Sequence, residues 1–131
     1  MTSRVATCSC GQLRITCEGE PVRISICHCL ECQKRTGSVF ATQARFPRER
    51  VTIEGRASHW TRVGDSGGQP ATFSFCPVCG STVGWEIPGF VAVAVGAFAD
   101  PGFPPPQVSV YENRMHPWAF AAGELPLERE V

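Results

Sequence analysis

Seven of the eight cysteines in this 131-residue chain fall into three tight clusters: Cys8-Ser9-Cys10-Gly11, Cys27-His28-Cys29-Leu30-Glu31-Cys32 and Cys76-Pro77-Val78-Cys79-Gly80. Their natural division is four plus three. Two cysteine pairs, each followed by glycine, can close a tetrahedral thiolate cage around zinc, whereas a triplet supplies three ligands and leaves a position for water or substrate. On this reading one site holds the fold and the other does chemistry. Disulfides are the competing use of so many cysteines. Neighbours one or two residues apart are poorly placed to bridge each other, and Met1-Thr2-Ser3-Arg4 does not resemble an export signal, so metal in a cytoplasmic protein is the expectation. An iron-sulfur cluster fits less well, because no four-cysteine run is present and both Cys-Gly pairs look like zinc knuckles.

The remaining composition bounds what else the chain can be. At 131 residues it reads as one domain, 1–131, with metal replacing part of the core that its size limits. Twelve basic and twelve acidic residues balance, so there is no global electrostatic footprint for nucleic acid or an anionic membrane. The longest apolar run, residues 90–99, is about half of the ~20 residues a spanning helix requires, so no membrane partner is expected. Nothing in the sequence signals an oligomeric state.

Short runs of strand-forming residues alternate with glycine and proline, and no segment sustains a 3.6-residue apolar period, so the fold class is mainly β. Residues 12–18 put Leu13, Ile15 and Cys17 on one side and Arg14, Thr16 and Glu18 on the other, as a half-buried strand does. Cys17 thus belongs with the apolar set, as a buried free cysteine, its alternative being a fourth ligand that would close the triplet. Further strands are expected at 39–46, 51–54, 58–63, 71–75, 82–86, 90–97 and 108–112. Loops are expected at 64–70 and at 100–106, where prolines remove backbone donors. The one helical segment is Leu30 to Thr36, ending at Gly37, a residue suited to a left-handed cap.

A zinc bound by Cys8, Cys10, Cys76 and Cys79 would staple the amino-terminal strand to a late hairpin. Closing so long a loop removes unfolded-state entropy, and structural zinc in small peptides contributes roughly 10 to 16 kcal/mol of apparent binding free energy. Gly11 and Gly80 suit the positive φ and close backbone approach of a knuckle. In the triplet, an extended backbone aims Cys27 and Cys29 the same way and turns His28 aside, while Cys32 returns from the first helical turn. The helix start favours deprotonated sulfur. A zinc so held keeps a place for an exogenous ligand, and a small-molecule thiol is the natural one. The alternative is that His28 or Cys17 completes the shell and the second metal is structural.

The pattern Cys8-x-Cys10-Gly11, Cys27-His28-Cys29-x-x-Cys32-Gln33-Lys34-x-x-Gly37-Ser38, Phe75-Cys76-x-x-Cys79-Gly80-Ser81, then Trp118 and Gly123-x-Leu125-Pro126, resembles the glutathione-dependent formaldehyde-activating (GFA) family, which includes centromere protein V. The resemblance implies a β-tent fold of small antiparallel sheets. It also implies two zinc ions, a structural one on Cys8, Cys10, Cys76 and Cys79 and a catalytic one on Cys27, Cys29 and Cys32. The reaction it implies joins glutathione and formaldehyde to give S-hydroxymethylglutathione, formally a carbon-sulfur lyase run in reverse. His28 could shuttle a proton or orient a ligand.

No residue outside the triplet identifies glutathione. Lys34, Arg35, Arg45, Arg48, Arg50, Arg56 and Arg62 outnumber Glu49 and Glu54 in the middle segment and could receive carboxylates, Lys34 and Arg35 being the nearest to the triplet in sequence. The alternative is a solvated arginine-rich surface. Trp60, Trp85 and Trp118 are expected to pack, Phe40, Phe73 and Phe75 to line a pocket, and His59 and His116 to be surface or hydrogen-bonding residues. A non-catalytic zinc-stapled interaction module remains the alternative function. A nucleic-acid-binding zinc ribbon is disfavoured by the neutral charge and the lack of a recognition helix.

Overall fold

The structure, a computed structural model, describes residues 2–64, 67–120 and 126–128. Ten strands and one α-helix follow in the order β1 (Ser3–Thr7), β2 (Arg14–Glu18), β3 (Arg23–Cys27), α1 (Leu30–Thr36), β4 (Ala41–Pro47), β5 (Val51–Glu54), β6 (Ser58–Gly64), β7 (Gly67–Phe75), β8 (Thr82–Ile87), β9 (Phe90–Ala94) and β10 (Val108–Val110). Short 3-10 turns occupy Arg48–Arg50, Val95–Phe98 and Glu112–Arg114. The chain is mainly β, as the tent-like arrangement requires. Among the described residues no helix is long and apolar enough to cross a membrane.

Two sheets share the strands. The smaller has the order β1-β2-β5, and the larger runs β10-β3-β4-β9-β8-β7-β6. All neighbours are antiparallel except β10, which lies parallel to β3 with Val110 opposite Cys27. This departs from an all-antiparallel expectation. The proline-rich crossing at 100–106 lets β10 return alongside β3, where Gln107 caps the edge through its backbone N–H to the Ile24 carbonyl at 2.9 Å.

One core lies between the sheets. Leu13, Ile15 and Cys17, the face predicted from alternation, are fully buried against Ala44, Phe46, Val83, Val91 and Val93 of the larger sheet. Phe98 closes one end, 6.3 Å from the Phe46 ring and stacked at 4.7 Å on Phe103. To reach that position the backbone leaves β9 at Ala94 and turns through Val95–Phe98, so the strand expected over 90–97 is three residues shorter.

The loop expected at 64–70 is also corrected: β6 runs to Gly64 and β7 starts at Gly67. Asp65 and Ser66, between them, lie outside the described residues, as do Gly123 and Leu125 of the family-like C-terminal pattern. Pro70 sits in β7 where the β6 register shifts between Arg62 and Gly64, and ahead of the first β8 partner, Thr72. Proline is tolerated there because no regular ladder bond is lost.

Candidate metal centres and the cavity between them

The first centre is built from two matching turns. After β1, Cys8 accepts from the Gly11 N–H through its carbonyl at 3.0 Å and from the Leu13 N–H through its sulfur at 3.3 Å. After β7, Cys76 repeats this with the Gly80 N–H at 2.8 Å and the Val78 N–H at 3.3 Å. Gly11 and Gly80 have φ of 84° and 79°, the left-handed backbone that a side chain would strain. Ser9 and Ser81 tie the turns together through a hydroxyl pair at 3.0 Å.

The four sulfurs of Cys8, Cys10, Cys76 and Cys79 lie within 4.8 Å of one another. Cys10 Sγ is 3.6 Å from Cys8 Sγ and 3.7 Å from Cys76 Sγ. A tetrahedron of Zn–S bonds of about 2.3 Å has edges of about 3.8 Å, so this donor set fits zinc. The backbone N–H groups of Ser81 and then Cys10 hold the Cys79 thiol well below its usual range, at about 5. Backbone amides aimed at sulfur favour the thiolate that a metal needs.

The residue that sequence reasoning missed here is Gln12. Its Nε2 donates to Cys76 Sγ at 2.9 Å and to the Arg56 carbonyl at 2.8 Å, while its Oε1 accepts from the Arg56 N–H at 2.9 Å. It lies two residues beyond a cysteine pair, but nothing in the sequence marks a glutamine for this role.

The second centre sits where β3 runs into α1. Cys27 ends the strand, Cys29 caps the helix by accepting from the Cys32 N–H at 3.3 Å, and Cys32 follows in the first turn. Gly37, at φ 69°, ends the helix as predicted. The three sulfurs lie within 4.8 Å of one another, all buried. Among the described residues neither His28 nor Cys17, nor any carboxylate, joins the set.

The three thiols share their protons unequally. Hydrogen bonding from Cys27, with Cys29 and the Arg35 guanidinium adding to it against burial, pulls the Cys32 thiol down to about 5. Cys27, hydrogen-bonded to Cys32 and buried, is pushed up, and so is Cys29, chiefly by burial. The helix start alone therefore does not ionise Cys29; one sulfur of the group carries the first charge.

His28 is fully buried and both ring nitrogens lack a hydrogen-bond partner. The ring packs against Phe120 at 5.6 Å and Phe40 at 6.2 Å. Gln33, within the family-like pattern but with no role assigned from sequence, braces this segment. Its Nε2 donates to the His28 carbonyl at 2.9 Å and the Arg114 carbonyl at 3.2 Å, and its Oε1 is 3.0 Å from His116 Nε2.

A cavity of about 520 Å³ separates the two centres. Arg35, Phe40 and Ala41 line its triplet side and Cys79, Gly80 and Ser81 its quartet side. The triplet sulfurs do not line it, but Ala41 packs directly on them. A second cavity of about 370 Å³ is lined by Arg35, His59, Trp60, Phe73, Phe75 and Thr82. The phenylalanines expected near a pocket are therefore there. Of the tryptophans expected to pack, Trp85 stacks on Phe73 at 5.1 Å, whereas Trp60 is 58% exposed and Trp118 51% exposed. Trp60 serves a cavity wall on β6, the edge strand of the larger sheet, which no further strand among the described residues flanks.

The middle-segment cations separate in the fold. Arg48 pairs with Glu86, Arg50 donates to the Glu18 and Glu20 carbonyls, Arg45 lies over Phe90, and Lys34 is exposed and lines neither cavity. Arg35 and Arg62 alone of this group reach the triplet. Cys32 acts directly on the Arg35 guanidinium, and Arg62 Nη2 donates to Cys32 Sγ at 3.7 Å.

Residues 3–114 match the family described as glutathione-dependent formaldehyde-activating enzyme. No curated protein matches the chain. Among solved structures, a crystal structure of a Rhodobacter sphaeroides protein aligns with a TM-score of 0.56 at 20% identity, covering 77% of this chain and 91% of that one. That likeness speaks to the fold.

Proposed function

The chain belongs to the glutathione-dependent formaldehyde-activating enzyme family, and from that footing we propose that it is a zinc-dependent, carbon-sulfur lyase-like enzyme acting on a small-molecule thiol. Glutathione plus formaldehyde giving S-hydroxymethylglutathione is the reaction to test. The carrying observation is the contrast between the centres: four mutually close sulfurs in one and three buried sulfurs in the other, with a 520 Å³ cavity between them whose triplet side is walled by Arg35, Phe40 and Ala41. We read residues 1–131 as one domain with Cys8, Cys10, Cys76 and Cys79 on a structural zinc and Cys27, Cys29 and Cys32 on a catalytic one.

Zinc held by three thiolates supplies an open position at which a thiol is kept deprotonated at neutral pH. The chain's own residues do the rest. The Arg35 and Arg62 guanidiniums beside Cys32 offset negative charge around the entering sulfur. Phe40 and Ala41 exclude water on the cavity side, and Gln33 fixes the turn that carries Cys27 and Cys29. The substrate sulfur attacks the aldehyde carbon; a C–S bond forms, the C=O π bond breaks, and the thiol's proton ends on the new hydroxyl oxygen. Holding the reactants at contact distance is the larger share of such an addition. His28, expected from sequence to shuttle a proton or orient a ligand, has both nitrogens enclosed and is assigned instead to shaping the Phe40 and Phe120 wall.

Zinc stoichiometry with X-ray absorption, with and without glutathione, and ¹³C-formaldehyde exchange by NMR test this reading. Two zincs, one gaining a sulfur ligand with thiol, and exchange above the uncatalysed background are expected. Coordination indifferent to thiol, with exchange at background, would sink it. The second reading, an interaction module without chemistry, draws on the exposed Trp60, Trp118 and Phe120 and expects that indifferent outcome.

A further inference from the structure

We propose that Arg35 and Arg62 form an anion receptor beside the cysteine triplet, and that the thiol taken there carries a carboxylate that seats on them. This rests on the thiol-binding reading above and names the class of thiol.

The two guanidiniums are held in an unusual way. The Arg35 guanidinium carbon lies 4.4 Å from the Trp85 ring centre and 5.2 Å from that of Phe73, and Arg62 lies 4.7 Å from the same Phe73 ring. Two like charges thus share one aromatic shelf. Stacking suits the weakly hydrated guanidinium, but it neutralises nothing. Arg35 Nε and Nη2 and Arg62 Nε are buried without a hydrogen-bond partner. Both side chains are half-buried, and N–H groups shielded from water are normally given acceptors because leaving them unpaired costs free energy. Among the described residues, the ion pairs Arg4–Glu20 and Arg48–Glu86 involve neither Arg35 nor Arg62. The negative partner on hand is the Cys32 sulfur.

What is missing beside the guanidiniums is oxygen acceptors rather than net charge. Three thiolates around a divalent zinc leave one net negative charge, and two guanidiniums leave the assembly one positive. An entering thiolate brings the assembly to neutrality, and the unpaired guanidinium N–H groups still lack oxygen acceptors. Carboxylate geometry matches the planar fork. Arg35 and Thr82 line both the 520 Å³ and the 370 Å³ cavity, so a ligand entering either one meets the Arg35 guanidinium. Lys34, its exposed neighbour, does not take part.

The test is calorimetric titration of the zinc-loaded full-length protein with glutathione, glutathione diethyl ester, which lacks free carboxylates, and S-methylglutathione, which lacks the thiol. Glutathione is expected to bind at least about tenfold tighter than the diester, a difference of about 1.4 kcal/mol. Arg35→Gln and Arg62→Gln are expected to abolish that preference with zinc content and circular dichroism unchanged, while Lys34→Gln preserves it. Equal binding of glutathione and its diester would overturn the receptor and leave thiol binding intact. Arginine-dependent binding of S-methylglutathione, without sulfur coordination by glutathione, would support the receptor and sink the thiol reading. No binding of any of the three would overturn both. Where a variant fails to fold, the comparison of glutathione with its diester on the unaltered protein decides.

Discussion

Gln12 Nε2 lies 2.9 Å from Cys76 Sγ, across 64 positions of sequence, and the same amide holds both backbone groups of Arg56. One side chain therefore locks the quartet to the end of the β5 segment. Removing a hydrogen bond to a metal ligand typically costs 10 to 100-fold in metal affinity. Gln12→Ala should weaken zinc binding at one of two sites by about that factor in chelator competition. Unchanged competition curves would mean the bond is incidental.

Replacing one cysteine in each centre separates fold from chemistry. Cys79→Ser should remove the staple between the two sheets and unfold the domain, since structural zinc is folding free energy on the order of 10 kcal/mol. Cys29→Ser should leave a folded protein with one zinc fewer and no thiol-dependent activity. Thermal melts with metal analysis decide between these outcomes; like behaviour of the two variants would contradict the division of labour.

Cys17 offers a different check. It is fully buried in β2, and burial pushes its thiol up to about 12. Thiolate is the reactive form, so near pH 8 Cys17 should resist alkylation in the native protein and react only after unfolding. Peptide mapping after iodoacetamide treatment reads this directly. Early labelling of Cys17 would place it outside the core.

The sheets meet at a glycine. A methyl group on Gly84 would fall 2.8 Å from the Ala92 carbonyl oxygen and 2.9 Å from Ile15 Cδ1, whereas one on Gly96 would meet nothing within 4 Å. Gly84→Ala should cost about 1 to 3 kcal/mol by overpacking. Gly96→Ala should change stability by less than about 0.5 kcal/mol. Urea denaturation of the two variants, if it gave equal midpoints, would rule out this contact as the limit on sheet approach.

Much of this arrangement was legible in the cysteine spacing and in β2, where alternation put Leu13, Ile15 and Cys17 inward, and in the helix ending at Gly37. β1 and β3 were not. β3 buries Ile24 and Ser25 side by side beneath neighbouring strands, so it lacks the alternation that marks a half-exposed strand. The end of β9 was misread because an apolar run does not reveal where it turns to insert Phe98. The strands expected at 58–63 and 71–75 form the body of the β6–β7 hairpin, where Thr61 meets Thr72 through a 2.8 Å hydroxyl contact, but the glycine- and proline-rich composition concealed its tip, which extends β7 back to Gly67. Which of the cations met the triplet depended on strand pairing: Arg62 lies opposite Ala71 on β7, next to the β8 strand that carries Trp85.

The quartet joins cysteines 66 positions apart, and this orders events during synthesis. The triplet's ligands leave the ribosome together. The quartet's do not: for several seconds at ~5 to 20 residues per second the emerging chain carries Cys8 and Cys10 as half a cage. A zinc held by the quartet would join the two turns only once Cys79 arrives, by which time β2 can already rest on Ala44 and Phe46, so the staple would lock a core that has begun to form rather than start it.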